Sequence, residues 1–390
     1  MIGSDIYLMV PVGGKINTKI IDRIEKDAVI SEYIDVLNST SLYECDNKVS
    51  SVLNRVNLGT IELSYFINDK YEDDNIMWIA SNLVYTYHEN TALGILQFIV
   101  YNCQQEDSQI GDMISSNHLI IKIGEKKYKL SEFLDTLSLK QYGKIRTINC
   151  NSVSKKDKTF KYTLIGETAN SEHLPYHIND KYFETVGVID CSKYNFYELY
   201  TDEKNVVYLL KDFSNNYVDN IENETLLIFI CEIAVFQNAA VSRINSQIID
   251  ELIANSNISS QKSLKLQVEY GKTILFWDNN IFNYHAAQEL SNDIVNAFKT
   301  KELMEEYKKN SKHLEQIANL KSGITANIEA KVLNTLAFIL SISQMFELFN
   351  NIKNVIAGKE WQFGIMSSSV IFLIVIIIVI RNNLNNRREK

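Results

Sequence analysis

The sequence predicts an α+β cytosolic domain that continues as a long stalk helix and ends in two transmembrane helices. Three observations predict it. From Phe363 to Ile380 the chain runs eighteen residues without a charge, and Val370 to Ile380 is unbroken Val, Ile, Leu and Phe, enough to cross hydrocarbon. Only two of the 390 residues are proline, Pro11 and Pro175, so the chain beyond them is free to form long helices. Strand-like apolar runs punctuated by Gly, Asn and Asp fill the first part of the chain.

Taken in order, residues 1–215 read as a cytosolic α/β domain. Ile6 to Val10 is a buried strand that Pro11 and the Gly13-Gly14 turn should stop, and Gly94 to Val100 is another. Leu119 to Ile123, the turn at Gly124 and Tyr128 to Leu130 form a hairpin. Lys144 to Asn149, Thr159 to Ile165, Val186 to Asp190 and Val206 to Leu210 complete the strands, and one helix-flanked sheet would use them all. Residues 216–281 read as a helical hairpin. Its first helix is apolar from Leu226 to Phe236, but Glu232, Gln237, Asn238 and Arg243 interrupt it too soon for a span, so it should be a buried cytosolic helix. Residues 282–331 read as a stalk helix, with apolar residues at Leu314, Ile317, Ile324, Ile328 and Val332. From Phe282 to Phe349 there is no proline and one glycine, Gly323, predicting one helix roughly 100 Å long.

The first span covers 332–349, an extracytoplasmic loop 350–362 with Trp361 as interfacial anchor, the second span 363–380 and a basic cytosolic tail 381–390. Arg381, Arg387, Arg388 and Lys390 put that tail in the cytosol. With two spans, both termini are then cytoplasmic and the protein is multi-pass in the inner cell membrane. The first span is the polar one. Asn334, Ala337, Ser341 and Gln344 follow at steps of three, four and three along one helical stripe, with Glu347 a turn further on. Repeated about a symmetry axis, they would line a cation path with amide, hydroxyl and carboxylate rings. The same residues also suit plain helix packing, and the first span could instead be an amphipathic segment beside a single tail anchor.

Composition excludes several classes. A net charge of −9 argues against direct nucleic-acid binding. Five scattered cysteines, Cys45, Cys103, Cys150, Cys191 and Cys231, form no C-x-x-C and fit a reducing compartment. No basic region precedes the first apolar stretch, so no secretory signal is expected. His173 and His177 are separated by Pro175, which weakens a shared helical face, and Glu72-Asp73-Asp74 reads as a solvated acidic loop. The same discount applies to Asp250 and Glu251. Gly13-Gly14-Lys15 lacks the spacing of a phosphate loop. No nucleophilic triad is recognisable, so no enzyme activity and no catalytic residue is expected. Outside the tail there are four arginines, Arg23, Arg55, Arg146 and Arg243. Arginine is the preferred fork for phosphate, and Arg146, in a strand-like stretch, and Arg55 are the candidate ligand-binding residues.

This layout, with Asn327 to Leu336 at the junction of stalk and pore, resembles the CorA family of divalent-cation channels over the whole chain, most specifically from Leu303 to Lys390. The resemblance implies a homopentamer whose first spans line the pore, with Mg²⁺ or another divalent cation as its ion. It also departs from that family. A Gly-Met-Asn motif should end the first span, yet Gln344 to Asn351 reads Gln-Met-Phe-Glu-Leu-Phe-Asn-Asn. Diverged CorA-like proteins without the motif occur in bacterial defence, including effectors associated with type III CRISPR systems whose cytosolic domains sense a nucleotide messenger. The expected function is thus a homo-oligomeric membrane ion channel gated through its cytosolic domain, with a small nucleotide as candidate ligand. The alternatives are a divalent-cation transporter with a substituted mouth and a membrane-tethered sensor or scaffold.

Overall fold

The computed structural model describes residues 4–14, 16, 28–44, 53–65, 78–89, 91–103, 119–151, 188–193, 197–210, 217–253, 260–276, 281–355 and 372. The chain divides into two compact units, residues 1–318 and 319–390. The first is a mixed α+β domain built on one eleven-stranded sheet.

Its strands are β1 (Ser4–Gly13), β2 (Leu53–Tyr65), β3 (Ile79–His88), β4 (Leu93–Cys103), β5 (Leu119–Ile123), β6 (Lys126–Lys129), β7 (Lys140–Gln141), β8 (Arg146–Asn151), β9 (Ile189–Asp190), β10 (Tyr197–Thr201) and β11 (Asn205–Leu210). The helices are α1 (Ala28–Glu44), α2 (Leu130–Thr136), α3 (Tyr217–Ile253), α4 (Ser260–Phe276), α5 (His285–Ala297) and α6 (Thr300–Val355). Across the sheet the order is β6-β5-β2-β3-β4-β1-β8-β11-β10-β9, with β7 also pairing β1. The β8–β11 pair is parallel. The predicted β1, β4, β5–β6 hairpin, β8 and β11 are all present in a single sheet, as expected.

Pro11 does not stop β1. It lies inside the strand opposite Ile95 of β4, in the gap on the other flank between the end of the β8 ladder and the start of β7. β8 pairs with β1 only as far as Met9, and β7 joins at Val12. The Pro11 carbonyl accepts from Tyr142 N at 2.9 Å, so its missing N–H points to the flank where no ladder bond is required.

The sheet separates two cores by strand alternation. Tyr7, Met9, Ile95, Ile99, Ile148 and Cys150 face α1, α3 and α5. Leu8, Val10, Leu96, Phe98, Leu119 and Ile121 face the other way, toward Phe133 and Leu134 of α2. β2 contributes to both. A bulge between Asn57 and Gly59, with Gly59 at φ +109°, inserts one residue and inverts the alternation. Leu53 therefore faces the α3 side, whereas Ile61 and Leu63 face the α2 side.

Helix α3 organises the domain. Between Leu226 and Phe236 it is apolar all round but for Glu232, because that stretch is enclosed by the sheet, α1 and α5. Further along, Val241, Ile244 and Ile248 pack with Leu266 of α4 and with Tyr307, Leu314 and Ala318 of α6. Two helical stretches among the described residues are long and apolar enough to cross a membrane, Glu224–Ile253 and Thr300–Phe349. The apolar window of the first is 89% buried within the chain and that of the second 0%. The Leu226 to Phe236 run thus belongs to a core helix, as read from its polar interruptions.

The helix expected from Phe282 onward is broken. α5 ends at Ala297, and Lys299 adopts a left-handed backbone at φ +55°, a conformation that continues no right-handed helix. α6 starts at Thr300 and runs 56 residues to Val355, past Phe349 where a loop was expected, because nothing in Asn350 to Val355 breaks a helix. The strand candidate at 159–165, His173, His177, Glu72 to Asp74, Lys15, Arg23, Trp361, the second span apart from Phe372 and the tail at 381–390 lie outside the described residues.

Candidate functional site

Polar residues are scarce on the enclosed half of α3, and three of them, Glu224, Glu232 and Asn238, fall within about 120° of its circumference. Each meets a different set of groups from the sheet.

Glu232 is fully buried. Its carboxylate accepts from Arg55 Nη2 at 2.6 Å, from Thr86 Oγ1 at 2.8 Å and from Gln97 Nε2. Arg55 Nη1 donates to Asn38 Oδ1 at 2.7 Å, and Tyr33 OH donates to Gln97 Oε1 at 3.2 Å. The pairing Arg55↔Thr86 across β2 and β3 puts two of these donors side by side. This is a closed network in which a buried charge meets its opposite and further donors. Arg55, expected as a phosphate fork, has its hydrogen bonds committed to the core.

Glu224 has no cation beside it among the described residues. Tyr7 OH donates to its Oε2 at 3.1 Å. Burial pushes its carboxyl up to about 8, Asp5 adds to the rise, and hydrogen bonds from Cys150 and Tyr7 oppose it. At neutral pH it is mainly the neutral acid, the form that a dry site tolerates.

Arg146 stands in β8, on the strand face turned to α3, and only 2% of it is exposed. Its guanidinium lies 4.6 Å from the centroid of the Phe298 ring. One nitrogen, Nη2, donates to Asn238 Oδ1 at 3.4 Å. Its Nε and Nη1 are buried and have no partner among the described residues. Burial draws the guanidinium down to about 10, with Glu203 and Asp202 opposing the fall. Asn238 also donates to the Phe298 carbonyl at 3.1 Å and to Thr300 Oγ1 at 3.1 Å. One side chain thus joins Arg146 to the α5–α6 junction. At its rim Lys144 and Lys299 both pair with the Glu203 carboxylate. Gly143 reaches the cluster at φ +88°, where an added Cβ would lie 3.3 Å from Asn238 Oδ1.

Asn334, Ala337, Ser341, Gln344 and Glu347 are all exposed on α6, which places them on one helix with no cover from another element among the described residues. Ser341 Oγ donates back to Ala337 O at 2.8 Å and Thr335 Oγ1 to Lys331 O at 2.8 Å, so each hydroxyl proton is satisfied within the helix. His88, deep beneath α3, is drawn down to about 4 by burial and pairs through Nδ1 with Thr91 at 2.8 Å. Among the described residues no group of three or more His, Cys, Asp or Glu could hold a metal ion.

No family model, curated protein or solved structure matches this chain. Its function therefore rests on these residues. Of the two arginines singled out from sequence, Arg146 has donors to spare and Arg55 does not. Glu224, Glu232 and Asn238 went unrecognised as site residues. The latter two counted only as interruptions to a hydrophobic run, and that signal could have found them: a polar group retained inside an enclosed helix must meet a partner across the packing.

Proposed function

We propose that this chain is the subunit of a CorA-like homo-oligomeric membrane ion channel, a homopentamer, gated through its cytosolic domain. The observation that carries this reading is α6. Its apolar window has no cover among the described residues, and such a surface belongs against lipid or other copies of itself. The stripe from Asn334 to Gln344 supports a pore role, because a helix whose serine proton is internally bonded still offers oxygen lone pairs to a passing cation.

In this reading the first span lines the pore, the second faces lipid, and both termini lie in the cytosol at the inner membrane. A small nucleotide messenger, of the kind that antiviral type III CRISPR systems generate, is the ligand. It opens the pore by binding the open and closed arrangements unequally. The domain performs no chemistry on it.

Reconstitution into liposomes tests the proposal directly. Cation flux, of Mg²⁺ or a monovalent ion, is expected once a nucleotide is supplied. Asn334→Leu with Gln344→Leu should lower that flux by about tenfold or more, since the lining dipoles are removed from a low-dielectric path. Intact oligomers that pass no cation under any ligand would sink the channel and favour a tethered sensor. Rescue of a magnesium-uptake-deficient strain without ligand would instead favour a housekeeping transporter.

A further inference from the structure

A buried arginine with unpartnered N–H groups is costly. Each donor left unmatched away from water forfeits its solvation, and a donor on a charged group forfeits more. The domain tolerates this at Arg146 while each nitrogen of Arg55 is matched, at Glu232, less than two turns from Asn238 on the same helix. The surroundings of Arg146 are also unlike a core. Lys144 and Lys299 lie beside it with about half of each side chain exposed, 54% and 56%, and both close on Glu203. A glycine, Gly143, keeps the space beside Asn238 free of a side chain.

We infer that Arg146, with Lys144 and Lys299 at its rim, is the binding site for a phosphoryl group or equivalent oxyanion. The anion takes the two open guanidinium donors and displaces the Glu203 carboxylate from the lysines that it bridges. Arginine suits this because its donors are fixed in a plane and the charge is never lost. Phe298 holds the guanidinium flat, and Asn238 holds Phe298 and Thr300 in place. An anion there would bind the first turn of α6 to the N-terminal end of β8. This goes beyond the channel reading and does not rest on it, since binding is measured without any flux.

The full-length protein in detergent is titrated calorimetrically with inorganic phosphate, pyrophosphate, ATP and adenosine. Saturable binding of the phosphate-bearing probes is expected, with adenosine inert. Phosphate or pyrophosphate binding as well as ATP marks a free oxyanion as the source; ATP binding about tenfold tighter marks a nucleotide. Arg146→Met, which retains the packing on Phe298, should weaken binding by about tenfold to a hundredfold, as loss of charge-assisted hydrogen bonds implies. Glu203→Gln should tighten it, because the competing carboxylate loses its charge. A measurement on the unmodified chain guards against a misfolded variant: the bound anion should protect Lys144 and Lys299, but not Lys126 or Lys127, from acetylation. Absence of saturable binding, binding indifferent to Arg146→Met in a folded variant, or equal binding of adenosine would overturn the assignment. So would saturation that leaves Lys144 and Lys299 as reactive as before.

Discussion

Two buried arginines face the same helix and are treated in opposite ways. Arg55 meets a carboxylate, an amide and an aromatic ring, and its partner Glu232 is itself saturated by Thr86 and Gln97. Arg146 meets one amide at the edge of hydrogen-bonding distance and one ring, with two nitrogens left over. Since a charge removed from water must recover its solvation from neighbours, the first arrangement is complete among the described residues and the second is not. Burial alone therefore does not separate a structural arginine from a binding one; the tally of matched donors does.

The largest expected effect breaks the complete side of that contrast. Glu232→Ala leaves Arg55 buried and uncompensated and should destabilise the domain by about 3–5 kcal/mol, read as a fall in the denaturation midpoint. The double change Arg55→Met with Glu232→Leu should recover much of the loss, because neither charge is then stranded.

Next comes the pH dependence set by Glu224. Its carboxyl lies near 8 in the folded chain against an ordinary value of 4.5, so the folded state holds a proton that the unfolded state releases. The associated stability is fully present below about 4.5 and is lost as pH rises through about 8. One proton gives a slope approaching about 1.4 kcal/mol per pH unit. Glu224→Gln should flatten the stability profile across that window and leave the variant more stable than the parent above it. An unchanged slope would remove Glu224 as its source.

A smaller change is expected from Gly143→Ala. It forces a side chain into a left-handed backbone and against Asn238 and Ser242, costing about 1–3 kcal/mol. The smallest is the most telling. In anion-free buffer, Arg146→Met should shift stability by no more than about 1 kcal/mol and can raise it, because it removes two unmatched donors and gives up only the long 3.4 Å bond to Asn238 Oδ1. A loss as large as that for Glu232→Ala would mean that Arg146 is structural after all.

Much of the sheet was legible in the sequence because β1, β4, β5 and β11 are apolar runs bounded by turn residues, and β8 alternates Ile148 and Cys150 with polar residues. β2 and β3 were not. Leu53 to Tyr65 mixes Arg55, Asn57, Thr60 and Glu62 among its apolar residues, and the bulge at Gly59 destroys the period-two pattern on which such a reading relies. α1, whose residues Ile30, Tyr33 and Leu37 are buried, hides in a stretch rich in Ser, Thr and Asn. The break before α6 was also invisible, since it is made by a lysine in a glycine-like conformation and not by glycine or proline. Arg146 could be nominated for its side-chain chemistry, but its open donors depend on Asn238, 92 residues away, which no local pattern encodes.

The bulge in β2 has a genetic consequence. One surplus residue between Asn57 and Gly59 decides which side of the sheet each half of the strand addresses. An in-frame deletion of a single codon there would turn Leu53 and Arg55 over while leaving Ile61 and Leu63 in place. The arginine would then sit among the apolar side chains above α2, and Glu232 would be left alone beneath α3. Tolerance in this segment should be far lower for length changes than for substitutions, a bias that a deletion scan would expose even where every side chain is conserved in kind.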